Sequence, residues 1–255
     1  MKPINPDITI ITVAYNAAET IGATIKSVLN QTYINVEYIV IDGCSTDGTI
    51  DIVKSLADDR MVFISEPDKG IYDAMNKGIG LATGKIVGIL NSDDFYANVN
   101  VIENVVANFN ETNCEALYGN LLYVDAVDTR KIIRTWVAGN YKHTNFLQGW
   151  MPPHPTFFVL RNVYAKYGLF NLALKSAADY ELLLRFLYKH KIRANYLPKT
   201  LVHMRTGGMS NRNIGNRIKA NLEDRKAWKM NNIKPRFYTL FLKPLRKISQ
   251  FFIKD

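Results

Sequence analysis

Cysteine is nearly absent from this chain. Only Cys44 and Cys114 occur among 255 residues, which excludes a disulfide framework and a cysteine-based zinc site. Long apolar runs are missing as well. No stretch of about 18 uncharged apolar residues occurs, and the start, MKPINPDITI, lacks the apolar segment of a secretory signal. The expectation is a protein of the reducing cytoplasm. A G-x-x-x-x-G-K-[ST] loop is also missing, which removes P-loop chemistry. Gly78, Gly80 and Gly84 in KGIGLATGK follow a helical pattern and precede a strand, the wrong order for a dinucleotide loop. A helix end and a turn account for them better. Cys44 has no sequence neighbour that marks it as a nucleophile.

What is present is ordinary in amount and uneven in placement. Apolar residues make up 47% and charged residues 22%, as in a soluble globular protein, and the length suits one large domain with at most an appendage. The formal charge is +9. Twelve Lys and Arg lie between Arg212 and Lys254, against only Glu223, Asp224 and Asp255 after Ser210, so residues 1–210 are neutral and the tail carries the whole excess. A balanced body with a basic tail is a local electrostatic device and does not describe a nucleic-acid binder. The division expected is a domain over 1–210, split near 110, and a basic amphipathic tail over 211–255.

Short β-rich runs alternate with helical patterns through the first half. Ile8–Val13, Val36–Ile41, Met61–Ile64 and Ile86–Leu90 read as strands. Between them, Thr20–Gln31, a stretch through Ile50, Val53 and Leu56, and Ile71–Leu81 place apolar residues at helical spacing. This succession predicts an α/β fold with a mostly parallel sheet, right-handed crossovers and helices on both faces. Val101–Phe109 reads as a further helix. ALYGNLLYV and KIIRTWV suggest strands of a second, less regular sheet, His154–Leu160 another strand, and Ala178–Tyr188 a helix.

Ligands of parallel sheets sit outside the carboxyl ends of the strands. Four polar clusters fall on that edge: Tyr15-Asn16, Asp42, Glu66–Lys69, and the pair Asp93-Asp94 that ends the apolar run of ILNSDDFY. Two adjacent carboxylates at the end of a buried strand repel each other and resist desolvation, unless they form a solvated corner or await a cation. Asp42 either shapes its turn or accepts hydrogen bonds from a ligand. Tyr15 is either core or a stacking face. Asp179 opens an amphipathic helix in SAADYELLLR, as its cap or as a general base facing a cleft. His154 and His203 are lone histidines in apolar surroundings, where a structural hydrogen-bonding role is the default.

The segments ITVAYNAAETIGATIKSVLNQTY, VEYIVIDGCSTDGT and EPDKGIYDAMNKGIGLATGKIVGILNSDD together resemble the family 2 glycosyltransferases of the GT-A fold, of the bacterial surface-polysaccharide type. The likeness covers about the first hundred residues and resumes at HPTFF, at AADYELLLR and loosely at RTGGMS. It implies an enzyme that moves a sugar from a nucleoside-diphosphate donor, UDP-linked, to a glycan acceptor, such as a lipid-linked one. Asp93 and Asp94 would be the DxD-type pair: Asp93 near the ribose or metal shell, Asp94 on Mn²⁺ or Mg²⁺. Val13, Tyr15, Asp42, Asp68, Lys69 and Asn76 would lie with the donor, His154 and Trp150 with the acceptor, and Asp179 would be the base. Many members carry two Asp at the second strand's end, where this chain has Asp42-Gly43.

Two other classes stay in view. A sugar nucleotidyltransferase should show a basic Gly-rich loop after its first strand, and VAYNAAET has neither Gly nor Lys. A non-catalytic binding module would have no need for Asp93, Asp94 and Asp179 together. The tail segment FYTLFLKPLRKISQFFIKD mixes Phe and Leu with Lys and Arg, which suits either an interfacial helix on an anionic membrane or a helix docked on the protein's own body. The first reading implies a peripheral location on the inner face of the cytoplasmic membrane.

Overall fold

A computed structural model describes residues 5–207 and 214–250, apart from the side chains at 214–220, 240, 244 and 247–249. Strands β1 (Ile8–Ala14), β2 (Val36–Asp42), β3 (Met61–Ser65) and β4 (Ile86–Ile89) lie parallel in the order β3-β2-β1-β4. Helices α1 (Ile21–Leu29), α2 (Thr49–Leu56) and α3 (Ile71–Leu81) join them. β1 and β2 are buried on both faces, which is why they are mostly apolar without alternation, the buried Glu37 accepting the Thr9 hydroxyl at 2.7 Å. Ile8 and Ile10 meet Ile21 and Ile25 of α1, whereas Ile11 and Val13 face Met75 and Ile79 of α3. Gly78 lies inside α3, because a Cβ there would run into Ile11 of β1.

The second half extends the same sheet and does not build a separate one. β4 pairs antiparallel with β8 (Phe158–Leu160), β8 with β6 (Ala116–Val124), and β6 runs parallel to β9 (Ala194–Arg205). β5 (Asp94–Tyr96) closes the far edge against β9, and β7 (Ile132–Trp136) pairs with β6. Helix α4 (Val101–Thr112) packs its apolar stripe on the α1 side, and α5 (Arg161–Tyr167) follows β8.

Several local expectations are corrected. β5 and β9 carry no clear strand signal. Pro198 sits where β9 is irregular, between the pairs Tyr196–Tyr118 and Thr200–Asn120. His154–Thr156 form a 3₁₀ turn and only Phe158–Leu160 is strand, since Pro152, Pro153 and Pro155 cannot donate to a ladder. The helix expected over Ala178–Tyr188 is α6 (Ala178–Leu183), which passes into a π-helical segment, Leu184–Lys189.

The basic tail packs on the body. In α7 (Ile214–Met230), Ala227 and Trp228 are buried in the main core, and Trp228 Nε1 donates to the Tyr180 hydroxyl at 2.9 Å. In α8 (Thr239–Ser249), the Thr239 hydroxyl donates to the Leu147 carbonyl at 2.6 Å and Lys243 pairs with Asp224 at 2.7 Å. The boundary at residue 210 therefore divides charge, not packing. Among the described residues no helix is long and apolar enough to cross a membrane.

Candidate active site

The acidic pair lies where β4 hands over to β5. Its backbone is gripped: the Thr24 hydroxyl donates to the carbonyls of Ser92 at 2.9 Å and Asp94 at 2.7 Å, and Arg205 donates to the Asp93 carbonyl at 2.6 Å. The Asp94 carboxylate is fully buried. Its Oδ2 accepts the Asn91 amide at 3.2 Å, whereas Asp94 Oδ1 and Asn91 Oδ1 are buried without a hydrogen-bond partner among the described residues. Burial, and then the neighbouring Asp93, raise the Asp94 pKa well above the ordinary carboxylate range. Burial raises that of Asp93 too, with the Arg205 charge opposing. Orphaned buried oxygens on carboxylate and amide groups are the donor set of a hard divalent cation. Among the described residues no three acidic, His or Cys side chains are placed to hold a metal ion together, so a cation here would complete its shell with water and ligand oxygens.

Sheet register extends the site. Asp94 pairs with Met204, Met204 with Tyr123, and Tyr123 with Arg134, a row across four strands that puts these side chains on one face. The Arg134 guanidinium lies 3.7 Å from the centre of the Tyr123 ring. Burial raises the Tyr123 pKa, Arg134 opposes, and the charges of both Asp94 and Asp179 add to the rise. Tyr123 thus lies within electrostatic reach of both carboxylates. His203 pairs with Phe95, one step along the strand and so on the opposite face, and meets that ring edge-on at 5.2 Å.

Asp179 stands on the second residue of α6. The Tyr72 hydroxyl donates to its Oδ1 at 3.2 Å. Asp179 is not the cap of its helix. Glu223, on α7, accepts from the N–H groups of Lys175, Ser176 and Ala177 and from the Ser176 hydroxyl at 2.7–3.1 Å. These hydrogen bonds hold the Glu223 pKa down against its burial. His154 stacks edge-on with Phe170, and burial lowers its pKa while the nearby Asp179 charge opposes.

Tyr15, Asp42 and Asp68 gather at the ends of β1, β2 and β3. Asp42 is fully buried, and its carboxylate accepts the Ser45 N–H at 3.0 Å, the Ser45 hydroxyl, and the Ser65 hydroxyl at 2.7 Å. It shapes its turn. Asp47 accepts the Thr49 N–H at 3.1 Å just before α2, whose N-cap is Gly48. Lys69 is exposed, and its N–H reaches Asp73 at 3.0 Å.

Three residues expected in the site have other duties. The Val13 side chain is buried in the core. Both ends of the Asn76 amide are committed to the Phe170 backbone at 2.9 Å, which staples α3 to the second half. Trp150 is buried among Tyr118, Tyr141 and Phe146, with its indole N–H on the Ala138 carbonyl at 2.8 Å. Conversely, Tyr72, Tyr123, Arg134 and Glu223 escape a reading of the sequence. Tyr72 lies in the GIYDAM stretch beside Asp68 and Lys69, a usable signal. The others acquire their place from strand register or from helix docking.

The profile of the family described as Glycosyl transferase family 2 matches residues 9–168. A PGL/p-HBAD biosynthesis glycosyltransferase of Mycobacterium bovis is 28% identical over 210 residues, 81% of this chain and 80% of the relative. The Escherichia coli UDP-Glc:alpha-D-GlcNAc-diphosphoundecaprenol beta-1,3-glucosyltransferase WfaP is 39% identical over 95 residues, 37% of this chain and 38% of the relative. Among solved structures, S. aureus TarS in complex with UDP-GlcNAc superposes with TM-score 0.68 at 18% identity, over 91% of this chain and 65% of that one. The mannosyltransferase PcManGT from Pyrobaculum calidifontis, in complex with GDP-Man and Mn²⁺, gives 0.67 at 20%, over 95% and 70%.

Proposed function

The chain belongs to glycosyl transferase family 2 and has the GT-A fold, and on that premise we propose that this glycosyltransferase is a metal-dependent, inverting enzyme. The donor in this reading is a nucleoside-diphosphate sugar, UDP-linked, and the acceptor a lipid-linked glycan. The observation that carries it is the pairing of two unlike carboxylates. Asp94 is buried with an oxygen unpartnered among the described residues, and Asp179 tops a helix whose preceding N–H groups Glu223 satisfies. Asp179, oriented by Tyr72, accepts the proton of the acceptor hydroxyl as that oxygen attacks the anomeric carbon and the bond to the diphosphate breaks. One displacement inverts the anomeric centre, and no nucleophilic Ser or Cys is required. Asp94, Asp93 and the Asn91 carbonyl would hold the cation. Bound there, Mn²⁺ or Mg²⁺ would supply Lewis-acid charge to the departing diphosphate. Gathering both substrates in one cleft supplies the proximity.

Incubation with radiolabelled nucleotide sugars and Mn²⁺ tests this reading. Slow donor hydrolysis without acceptor, releasing nucleoside diphosphate, is the expected result. Pyrophosphate release would signify a nucleotidyltransferase, and binding without turnover a sugar-nucleotide-binding module.

A peripheral membrane location belongs to the same proposal. The face of α8 turned from the body exposes Phe241 (64%) and Leu245 (56%), and Phe237 (90%), in the turn two positions before the helix, continues the four-residue spacing. Docking on the body and facing a membrane are thus compatible. Leu240, Pro244, Lys247, Ile248, Phe251, Phe252 and Lys254, which the sequence adds to this pattern, lie outside the described side chains. Exposed Lys234 and Arg236 flank the stripe, and each basic residue near acidic lipid contributes about 1 kcal/mol. In flotation with anionic vesicles at low salt, the full chain should rise with the lipid. A Phe237→Ser, Phe241→Ser, Leu245→Ser variant and a chain ending at Asn232 should stay behind. Equal flotation of all three, or of none, would remove the membrane from this reading.

A further inference from the structure

Three loops converge on Gly43. A Cβ at this position would stand 2.6 Å from Asp68 Oδ2 and 3.3 Å from Tyr15 Cδ2. Any side chain at 43 would therefore displace the Asp68 carboxylate. The loop that carries Asp68 is pinned from several directions. The Glu66 N–H donates to the Asp42 carbonyl at 2.9 Å, Lys77 reaches the Pro67 carbonyl at 2.7 Å and the Glu66 carboxylate at 2.8 Å, and Lys69 N–H is held by Asp73. Asp68 Oδ1 accepts the Gly70 N–H at 2.8 Å, which turns Oδ2 toward Gly43. Tyr15 is 67% exposed, so its ring lies open to a flat ligand beside that oxygen. Asp42, the carboxylate next in sequence, is spent on Ser45 and Ser65.

We propose that Asp68, seated over Gly43 beside the Tyr15 ring, is the residue that reads the nucleobase of the donor. An ionised carboxylate only accepts hydrogen bonds. It therefore suits a base whose ring edge presents an N–H, as uracil and guanine do, and repels the ring lone pair that cytosine presents at the same place. Tyr15 supplies the stacking face. Gly43 is the residue that leaves room for this arrangement. The inference rests on the nucleotide-sugar reading above and assigns its base selectivity to a loop outside the turn after β2.

Calorimetry with UDP, GDP and CDP in the presence of Mn²⁺ tests it, on the whole chain and on two variants. The native protein should bind UDP or GDP at least about ten-fold more tightly than CDP, the scale of one hydrogen bond to a charged group. Asp68→Asn can present either an amide N–H or a carbonyl, so it should weaken the preferred nucleotide about ten-fold and shrink its lead over CDP. Gly43→Ala, which crowds the carboxylate out, should do the same. An unchanged preference in both variants, with binding intact, overturns this inference and leaves the glycosyltransferase reading standing. Failure of the native protein to bind any of the three overturns both.

Discussion

Asp179→Asn should leave donor affinity unchanged and lower kcat by roughly 10²–10⁴-fold, the usual worth of a positioned general base. The substitution keeps the shape of the side chain. Its carbonyl still accepts the Tyr72 hydroxyl, bonded to Asp179 Oδ1 at 3.2 Å, and only the ability to take a proton is lost. Nor does the change unmake the helix. A helix-capping Asp stabilises free N–H groups at a helix start, and replacing it costs about 1 kcal/mol. Here Glu223 holds the N–H groups of Ser176 and Ala177, and no side-chain cap is made at Ala177. Melting temperature and calorimetric donor affinity should match the native protein while turnover collapses. A variant that turns over acceptor at the native rate would reduce Asp179 to a bystander.

Asp94→Asn should abolish metal-dependent binding of the nucleoside diphosphate and leave the fold intact. A neutral amide is a far poorer ligand for a hard cation than a carboxylate. The stability of the metal-free protein should move the other way. Because burial and Asp93 hold the Asp94 pKa well above its unfolded value, the folded protein retains a proton that the unfolded chain has lost, over the window between the two values. Native stability without metal therefore falls as pH rises through that window, whereas an amide does not titrate. Above the window the variant should melt no lower than the native protein. Mn²⁺ with nucleoside diphosphate should raise the melting temperature of the native protein only. Protons compete for the same oxygens, so the native metal affinity should climb with pH over this range. Unchanged metal-dependent affinity in Asp94→Asn, measured by calorimetry, would sink the assignment of the pair.

Much of this protein is legible along the chain because the forces that write it are local. Apolar periodicity separates β1 through β4 from α1 through α3, and a strand buried on both faces is predominantly apolar without alternation, so the parallel half follows from neighbouring residues alone. The acidic pair stands out for the same reason: two adjacent carboxylates after such a strand conflict with local solvation. Other features depend on partners distant in sequence. β5 is three residues long and β9 is interrupted around Pro198; only their pairing places Asp94, Met204, Tyr123 and Arg134 in one row. Asn76 and Trp150 look like site residues until Phe170 and Ala138 occupy their polar atoms. The tail is the plainest case. Its charge is visible in composition, but Glu223 and Trp228 serve α6 because helix docking brings residues some fifty positions apart within hydrogen-bond distance. Sequence by itself determined the strand–helix succession, the acidic pair and the basic tail. Only the tertiary structure decided which carboxylate lacks a partner among the described residues, which one shapes a turn and which accepts the Tyr72 hydroxyl, because each depends on what else is buried beside it.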